Sequence, residues 1–368
     1  MRATIFFLVL LTLLTIAIPF AASLSGQGDI LSFPENVPAS EVASEPASVS
    51  TVSSMAESAP SNSESSFSSD VTTVAPSNTD IEARKSFKIF DRTTKKVFTV
   101  DAAEYIRGAV ASEMPATFHQ QALTAQAIAA HTWALYSAQR QAESPDPELK
   151  GADFSADPER LEGYITKDRF FERYGESAEL FWPKICEAAE YALTRIVAYD
   201  DQPALTAYHS TSTGHTEASD NVWMVSLPYL VPVESDGDLL APDYKVTETY
   251  DKKTMKLLLM QAFDDLKLND DTPEKWIVPL KTSDSGYVTL AKVGNLEVHG
   301  QAVRNALSLR SGCFTISYHS GTFSIETLGY GHGVGMSQYG ADFMARQGST
   351  CEDILLHYYP NTEIKTVS

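Results

Sequence analysis

Between Arg2 and Arg84 the chain has no lysine or arginine, and this interval opens with twenty residues, 3–22, that are uncharged and almost wholly apolar. That arrangement decides which part of the 368 residues can fold around a core. Twenty apolar residues in a helix rise about 30 Å, the thickness of a bilayer's hydrocarbon layer. With Arg2 before the segment and no base soon after it, the positive-inside bias leaves the amino terminus in the cytoplasm and exports the rest. A cleaved signal peptide is the rival reading, because Pro19 and the small residues Ala21-Ala22-Ser23 suit a processing site. The next stretch, 24–85, is rich in Ser, Ala, Glu, Pro and Val, with nine carboxylates and no base through residue 83. It cannot bury enough apolar surface to offset chain entropy and reads as a disordered acidic tether. As a flexible coil it spans roughly 40–50 Å. The expected organisation is therefore an anchor or uncleaved signal segment over 1–23, the tether over 24–85, and a globular domain over 86–368.

The formal net charge is −20, and the tether accounts for only nine of those negative charges. An acidic folded part argues against a nucleic-acid surface and against an electrostatic grip on an anionic polymer. Cys186, Cys313 and Cys351 are too few and scattered for a disulfide framework or a zinc ligand set. One pair could bridge, but spacing does not say which.

Residues 87–90 and 96–100 alternate as a hairpin. Asp101 with Glu104 is a capping-box start for a helix over 102–113, which Pro115 ends. Thr117 with Gln120 repeats the signature and predicts a helix to about 140. A polar loop is expected over 141–160, then helices near 167–174 and 177–193. Residues 195–199 and 204–210 read as a hairpin around Asp200–Pro203. A strand and helix follow over 243–265, then short strands near 275–280, 287–291, 294–298, 313–318 and 322–328. A helix is expected from Ser337 to Gly348, and Thr350 with Asp353 caps the last one. The class is α+β, with helices at both ends of the domain and antiparallel strands between them.

Three segments can carry chemistry. Glu113, in Tyr105-Ile106-Arg107-Gly108-Ala109-Val110-Ala111-Ser112-Glu113-Met114-Pro115, closes a helix, where unpaired carbonyls disfavour a carboxylate and raise its pKa, as general-acid work requires. In Tyr208–Glu217, His209, His215 and Glu217 invite a metal reading, but no i, i+4 histidine pair supports it; a carbohydrate groove or a structural turn are the other readings. In 329–340, five glycines bring backbone close to a neighbour, and His332 either lines a site or bonds to structure. It is not a nucleotide loop, since the Gly-Lys-Ser/Thr ending is missing. No Gly-x-Ser-x-Gly elbow occurs.

Together these segments resemble the stage II sporulation protein D family, with its amidase-enhancer relatives. The likeness covers about 86–366: the Glu113 segment with Ala122–Thr132, Ala207–Glu217 with Trp223–Tyr229, Val303–Ser311, and Gly331–Ala341 with Ile354–Pro360. The resemblance implies a peptidoglycan lytic transglycosylase, acting preferably on glycan strands stripped of stem peptides, in septal wall remodelling during sporulation and engulfment. It implies Glu113 as the catalytic acid/base and Arg107, Gln126, Tyr208, Ser210, Ser212, His332, Ser337, Gln338 and Tyr339 as substrate-binding residues. Partners implied are glycan strands, a cell-wall amidase and a membrane protein of the engulfment machinery, with no nucleic acid. The alternative is a non-catalytic wall-binding protein that stimulates an N-acetylmuramoyl-L-alanine amidase. Some members resemble zinc proteins through Cys and His after the long helix; here 151–158 has neither, so no cofactor or metal is carried over. His215 stands where a glycine is common. A wall substrate favours the uncleaved anchor, which confines the domain to the wall side of the cell membrane.

Overall fold

The computed structural model describes residues 83–367, so the expected anchor and nearly all of the tether lie outside the described residues. The chain enters through β1 (Ser86–Asp91) and β2 (Val97–Asp101), paired antiparallel. Asp101 then caps α1 (Ala102–Glu113), its carboxylate accepting from the Ala103 and Glu104 backbone. Pro115 closes a turn in which the Phe118 N–H bonds to the Pro115 carbonyl. That turn consumes Ala116 and Thr117, so the cap of α2 (Gln120–Glu143) is His119 rather than the expected Thr117. The helix outruns its expected end, and 141–160 is not a plain loop: β3 (Phe154–Ala156) pairs in parallel with β1. Phe154 drives this, its ring lying about 5 Å from those of Tyr105 and Trp133.

Next come α3 (Lys167–Tyr174) and α4 (Ala178–Ala192), then the hairpin of β4 (Arg195–Tyr199) and β5 (Gln202–Pro203). Asp200 and Asp201, both at positive φ, make its two-residue turn. The expected second strand, 204–210, instead leaves the hairpin. Its β6 (Tyr208–His209) pairs in parallel with a strand more than a hundred residues later. The short α5 (Ser219–Trp223) leads to a lobe with its own apolar core. This lobe holds β7 (Lys245–Asp251), α6 (Lys252–Ala262), β8 (Ile277–Thr282), β9 (Val288–Val293), β10 (Leu296–His299), α7 (Gly300–Leu307), β11 (Phe314–His319) and β12 (Thr322–Leu328). Its two three-stranded sheets, β10-β9-β8 and β11-β12-β7, are antiparallel. The chain returns to the first core through β13 (Met336–Ser337), the partner of β6, then α8 (Gln338–Arg346), α9 (Cys351–Tyr358) and β14 (Glu363–Thr366). The expected capping box of Thr350 and Asp353 forms at α9.

The architecture is α+β with largely antiparallel sheets, and it departs from expectation in two respects. Among the described residues, strands rather than helices are the first and last elements, and two strand pairings are parallel. At the centre of the larger core lies α2, buried on nearly every side from Ala122 to Leu135, which its run of alanines permits. All three cysteines are free; burial raises the Cys313 and Cys351 thiols to about 11 and about 12, so both stay protonated.

Candidate active site

Glu113 is the last residue of α1 and only 8% exposed. Burial pushes its carboxyl up to about 7, and the carboxylate of Glu162 adds to the rise, while a hydrogen bond from the Gly163 backbone opposes it. The group thus holds a proton near neutral pH without being locked in that state.

Around it stand polar groups with no partner. Both atoms of the Gln126 amide are fully buried and unbonded, as are the hydroxyls of Tyr105 and Tyr208. Burial and the nearby Glu113 charge raise both phenols above their ordinary range, so they are neutral. The Gln126 amide faces the Tyr208 hydroxyl and partly offsets the rise in its pKa, so the two are paired with each other, though not in good hydrogen-bond geometry. The contrast with the rest of α2 is sharp. Thr124 bonds to the Gln120 carbonyl at 2.9 Å, His131 meets the Ala192 carbonyl at 2.9 Å, and Thr132 donates to Ile128 at 2.7 Å. A buried polar group left without a partner costs about 1–3 kcal/mol. Gln126, Tyr105 and Tyr208 therefore bear part of that cost within the fold.

The two other chemical segments are woven together. Thr211 and Tyr330 exchange backbone hydrogen bonds of 3.0 and 2.7 Å, and the Tyr339 N–H donates to the Ser210 carbonyl. The glycines of 329–335 give close approach to the protein itself, not to an open cleft: a Cβ on Gly333 would lie 2.3 Å from the Tyr287 hydroxyl. His332 Nδ1 accepts from the Val334 N–H at 3.0 Å, and His209 Nδ1 donates to the Val334 carbonyl at 3.1 Å. His332, 3% exposed, also sets its ring against Trp223, with centroids 5.1 Å apart. His332 thus makes the bond to structure that is one of its two readings.

Ser212 and Ser337 likewise turn inward. Both hydroxyls, with the Ser212 N–H, bind the fully buried Asp238 carboxylate, and Ser337 also caps α8. Ser210 contacts Thr211 at 3.3 Å, Tyr339 is half-buried against Phe118, and the Gln338 Nε2 is buried and unbonded. Arg107, six residues before Glu113, sits about 9 Å back along α1 and on another side of it. Nor do His209, His215 and Glu217 converge: Glu217 is taken up by Ala218, Asn221 and Ser283. Among the described residues, no group of three or more His, Cys, Asp or Glu side chains could hold a metal ion.

With this geometry in view, the comparisons with known proteins are decisive. A family model described as stage II sporulation protein matches residues 90–199. Stage II sporulation protein D of Bacillus subtilis is 33% identical over 285 residues, 76% of this chain and 78% of that protein. The chain belongs to the stage II sporulation protein D family. The Bacillus amyloliquefaciens protein of the same name is 32% identical over 77% of this chain and 79% of its own. A more distant family relative, the amidase enhancer of Bacillus subtilis, is 24% identical over 70% of this chain and 40% of its own length.

Sequence reasoning missed Tyr105, Glu162, Gly163 and Asp238. Tyr105 had a weak signal: eight residues before Glu113, it lies two turns back and about 80° round the helix, within one broad face. The others had none, because their roles come from loops that meet only in the fold.

Proposed function

We propose that this protein is a lytic transglycosylase that cleaves peptidoglycan glycan strands, preferably those already stripped of stem peptides, in wall remodelling during sporulation. The observation that carries the reading is Glu113: a buried carboxyl at the end of α1, its proton held to about pH 7, with the buried phenols of Tyr105 and Tyr208 near enough to feel its charge. Hydrolytic glycosidases ordinarily need two working carboxyl groups. Here the second carboxylate that influences Glu113, Glu162, is paired with Arg92. One acid suffices for transglycosylation. Protonated Glu113 gives its proton to the glycosidic oxygen as the bond to C1 of N-acetylmuramic acid breaks. Its conjugate base then takes the proton of the same sugar's C6 hydroxyl, whose oxygen bonds to C1. The products are a free 4-hydroxyl and a 1,6-anhydro end, and Glu113 recovers its proton. Gln126 and Tyr208 supply donors and acceptors suited to acetamido and hydroxyl groups.

The preference for stripped strands places the protein beside an amidase, and the apolar 3–22 segment, taken as an uncleaved anchor, holds it at the membrane on the wall side. The amidase-enhancer relative favours a second reading, a non-catalytic stimulator of an amidase. Amidase-treated sacculi separate the two. The protein should release anhydromuramic ends, and Glu113→Gln should release at least about 100-fold fewer. Strand binding and faster amidase action without anhydro products would select the stimulator.

A further inference from the structure

One arginine near the candidate site keeps no acidic partner. Arg310 lies between α7 and β11, in a turn fixed by a buried neighbour. Arg304, 6% exposed, donates from Nε to the Leu309 carbonyl at 3.2 Å and from Nη2 to the Arg310 carbonyl at 3.3 Å. The Gly331 N–H reaches the same Arg310 carbonyl at 2.9 Å, which ties the turn to the glycine-rich segment. The Arg310 guanidinium lies over the Tyr330 ring, 4.1 Å from its centroid, and stacking of this kind holds the planar fork in place. Its Nε is covered and has no acceptor, and among the described residues no carboxylate lies within ion-pair reach of it.

A run of contacts leads from this cation to Glu113. Tyr330 exchanges backbone hydrogen bonds with Thr211, and the neighbouring Ser210 carbonyl accepts from the Tyr339 N–H at 3.1 Å. The Tyr339 ring meets that of Phe118 edge-on, with centroids 5.0 Å apart. Phe118 belongs to the turn that leaves α1 directly after Glu113. Arg310, Tyr330 and Tyr339 are partly exposed while Phe118 and Glu113 are buried, so the run passes from the surface to the acid. The cations at its inner end are committed. Lys184 donates to the Ala116 and Phe118 carbonyls at 2.9 and 2.7 Å, and Arg346 pairs with Asp342, which also accepts from the His119 N–H.

The chemistry of the proposed substrate says what such a cation would meet. In an intact strand the lactyl group of N-acetylmuramic acid ends in an amide to the stem peptide. An amidase hydrolyses that bond, so the lactyl carbonyl becomes a carboxylate and the amine leaves with the peptide. A stripped strand therefore carries a negative charge on every second sugar. The net charge of −20 offers such a strand no general attraction, and recognition falls to a placed cation. We propose that Arg310, stacked on Tyr330, is a specificity-determining residue that pairs with the lactyl carboxylate of a stripped strand lying along the run to Glu113. A guanidinium fork meets a carboxylate through two parallel hydrogen bonds, whereas an amide offers one oxygen and no charge.

The inference rests on the proposed substrate, but its test is binding rather than turnover. Full-length protein carrying Glu113→Gln, which should leave strands uncut, is titrated with stripped strands and with the same strands after conversion of their carboxylates to methylamides. It should bind the carboxylate form at least about 10-fold more tightly. Adding Arg310→Gln should remove that advantage by weakening the carboxylate form alone. If that variant fails to fold, Arg310→Lys, which keeps the charge without the fork, should still reduce the advantage. Equal weakening of both forms, an advantage that survives the substitution undiminished, or a parent protein that binds the two forms alike would overturn the proposal. A carboxylate advantage controlled by Arg310 in a protein that releases no anhydro ends would sink the transglycosylase reading and leave this one standing. Anhydro ends released equally from both forms of strand would do the reverse.

Discussion

Replacing Glu113 by glutamine should make the protein more stable at pH 8 relative to wild type than it is at pH 4. Burial and Glu162 raise the Glu113 carboxyl from an ordinary 4.5 to about 7 in the folded state. Below pH 4.5 folded and unfolded chains both carry the proton, and its contribution to stability is fully present. Between 4.5 and 7 the unfolded chain ionises while the folded one does not, so stability falls as pH rises; above 7 the contribution is gone. The linked free energy is about 3 kcal/mol. Glutamine has no proton to lose, so the stability difference should move in the variant's favour by that amount from pH 4 to pH 8. For a domain of this size, it corresponds to roughly 6–12 °C in melting temperature. Guanidinium titrations of both proteins at the two pH values measure the gap directly, and other titrating groups cancel in the difference. An equal gap at both pH values would mean that Glu113 ionises like a solvated carboxyl, and the acid role would lose its physical basis.

Two further substitutions probe the same site. Gln126→Met removes two unbonded buried polar atoms and should raise stability by about 1 kcal/mol or more while weakening retention of glycan strands. A loss of stability in urea titrations would show that the amide is satisfied within the protein. Gly108→Ala, ordinarily a gain inside a helix, should instead cost about 1–3 kcal/mol, because the new methyl meets the Tyr164–Ile165 segment at 2.4 Å. An unchanged or raised melting temperature would show that the Tyr164–Ile165 segment gives way to the added methyl.

What the sequence made legible was local. Asp101 and Pro115 bound α1 and their spacing alone puts Glu113 at its carboxyl end, although the expected capping box is only half formed, Glu104 accepting from Tyr164 instead. The Thr350–Asp353 capping box is realised at α9. These signals work because donor and acceptor lie within one turn of each other. The pairing of β1 with β3 and of β6 with β13 had no such signal, since a parallel strand finds its partner through tertiary packing. The same limit explains Ser212 and Ser337. Read locally they are exposed hydroxyls in a polar segment, but Asp238, 26 and 99 residues away, claims both.

The glycine-rich segment shows why residue type alone misleads about a site. Glycines permit close approach, but the sequence does not say to what, and here the neighbours are Tyr287 and the backbone at Ala207 and Thr211. Glu113 is the reverse case. Its helix-end position predicts a raised proton affinity, yet the larger cause is burial, with Glu162 adding to it. A carboxyl at a helix terminus facing water would remain an ordinary acid. The chemistry proposed for Glu113 therefore depends on burial that only the tertiary fold supplies, and substitutions that open water to the end of α1 should lower its proton affinity without touching the carboxyl itself.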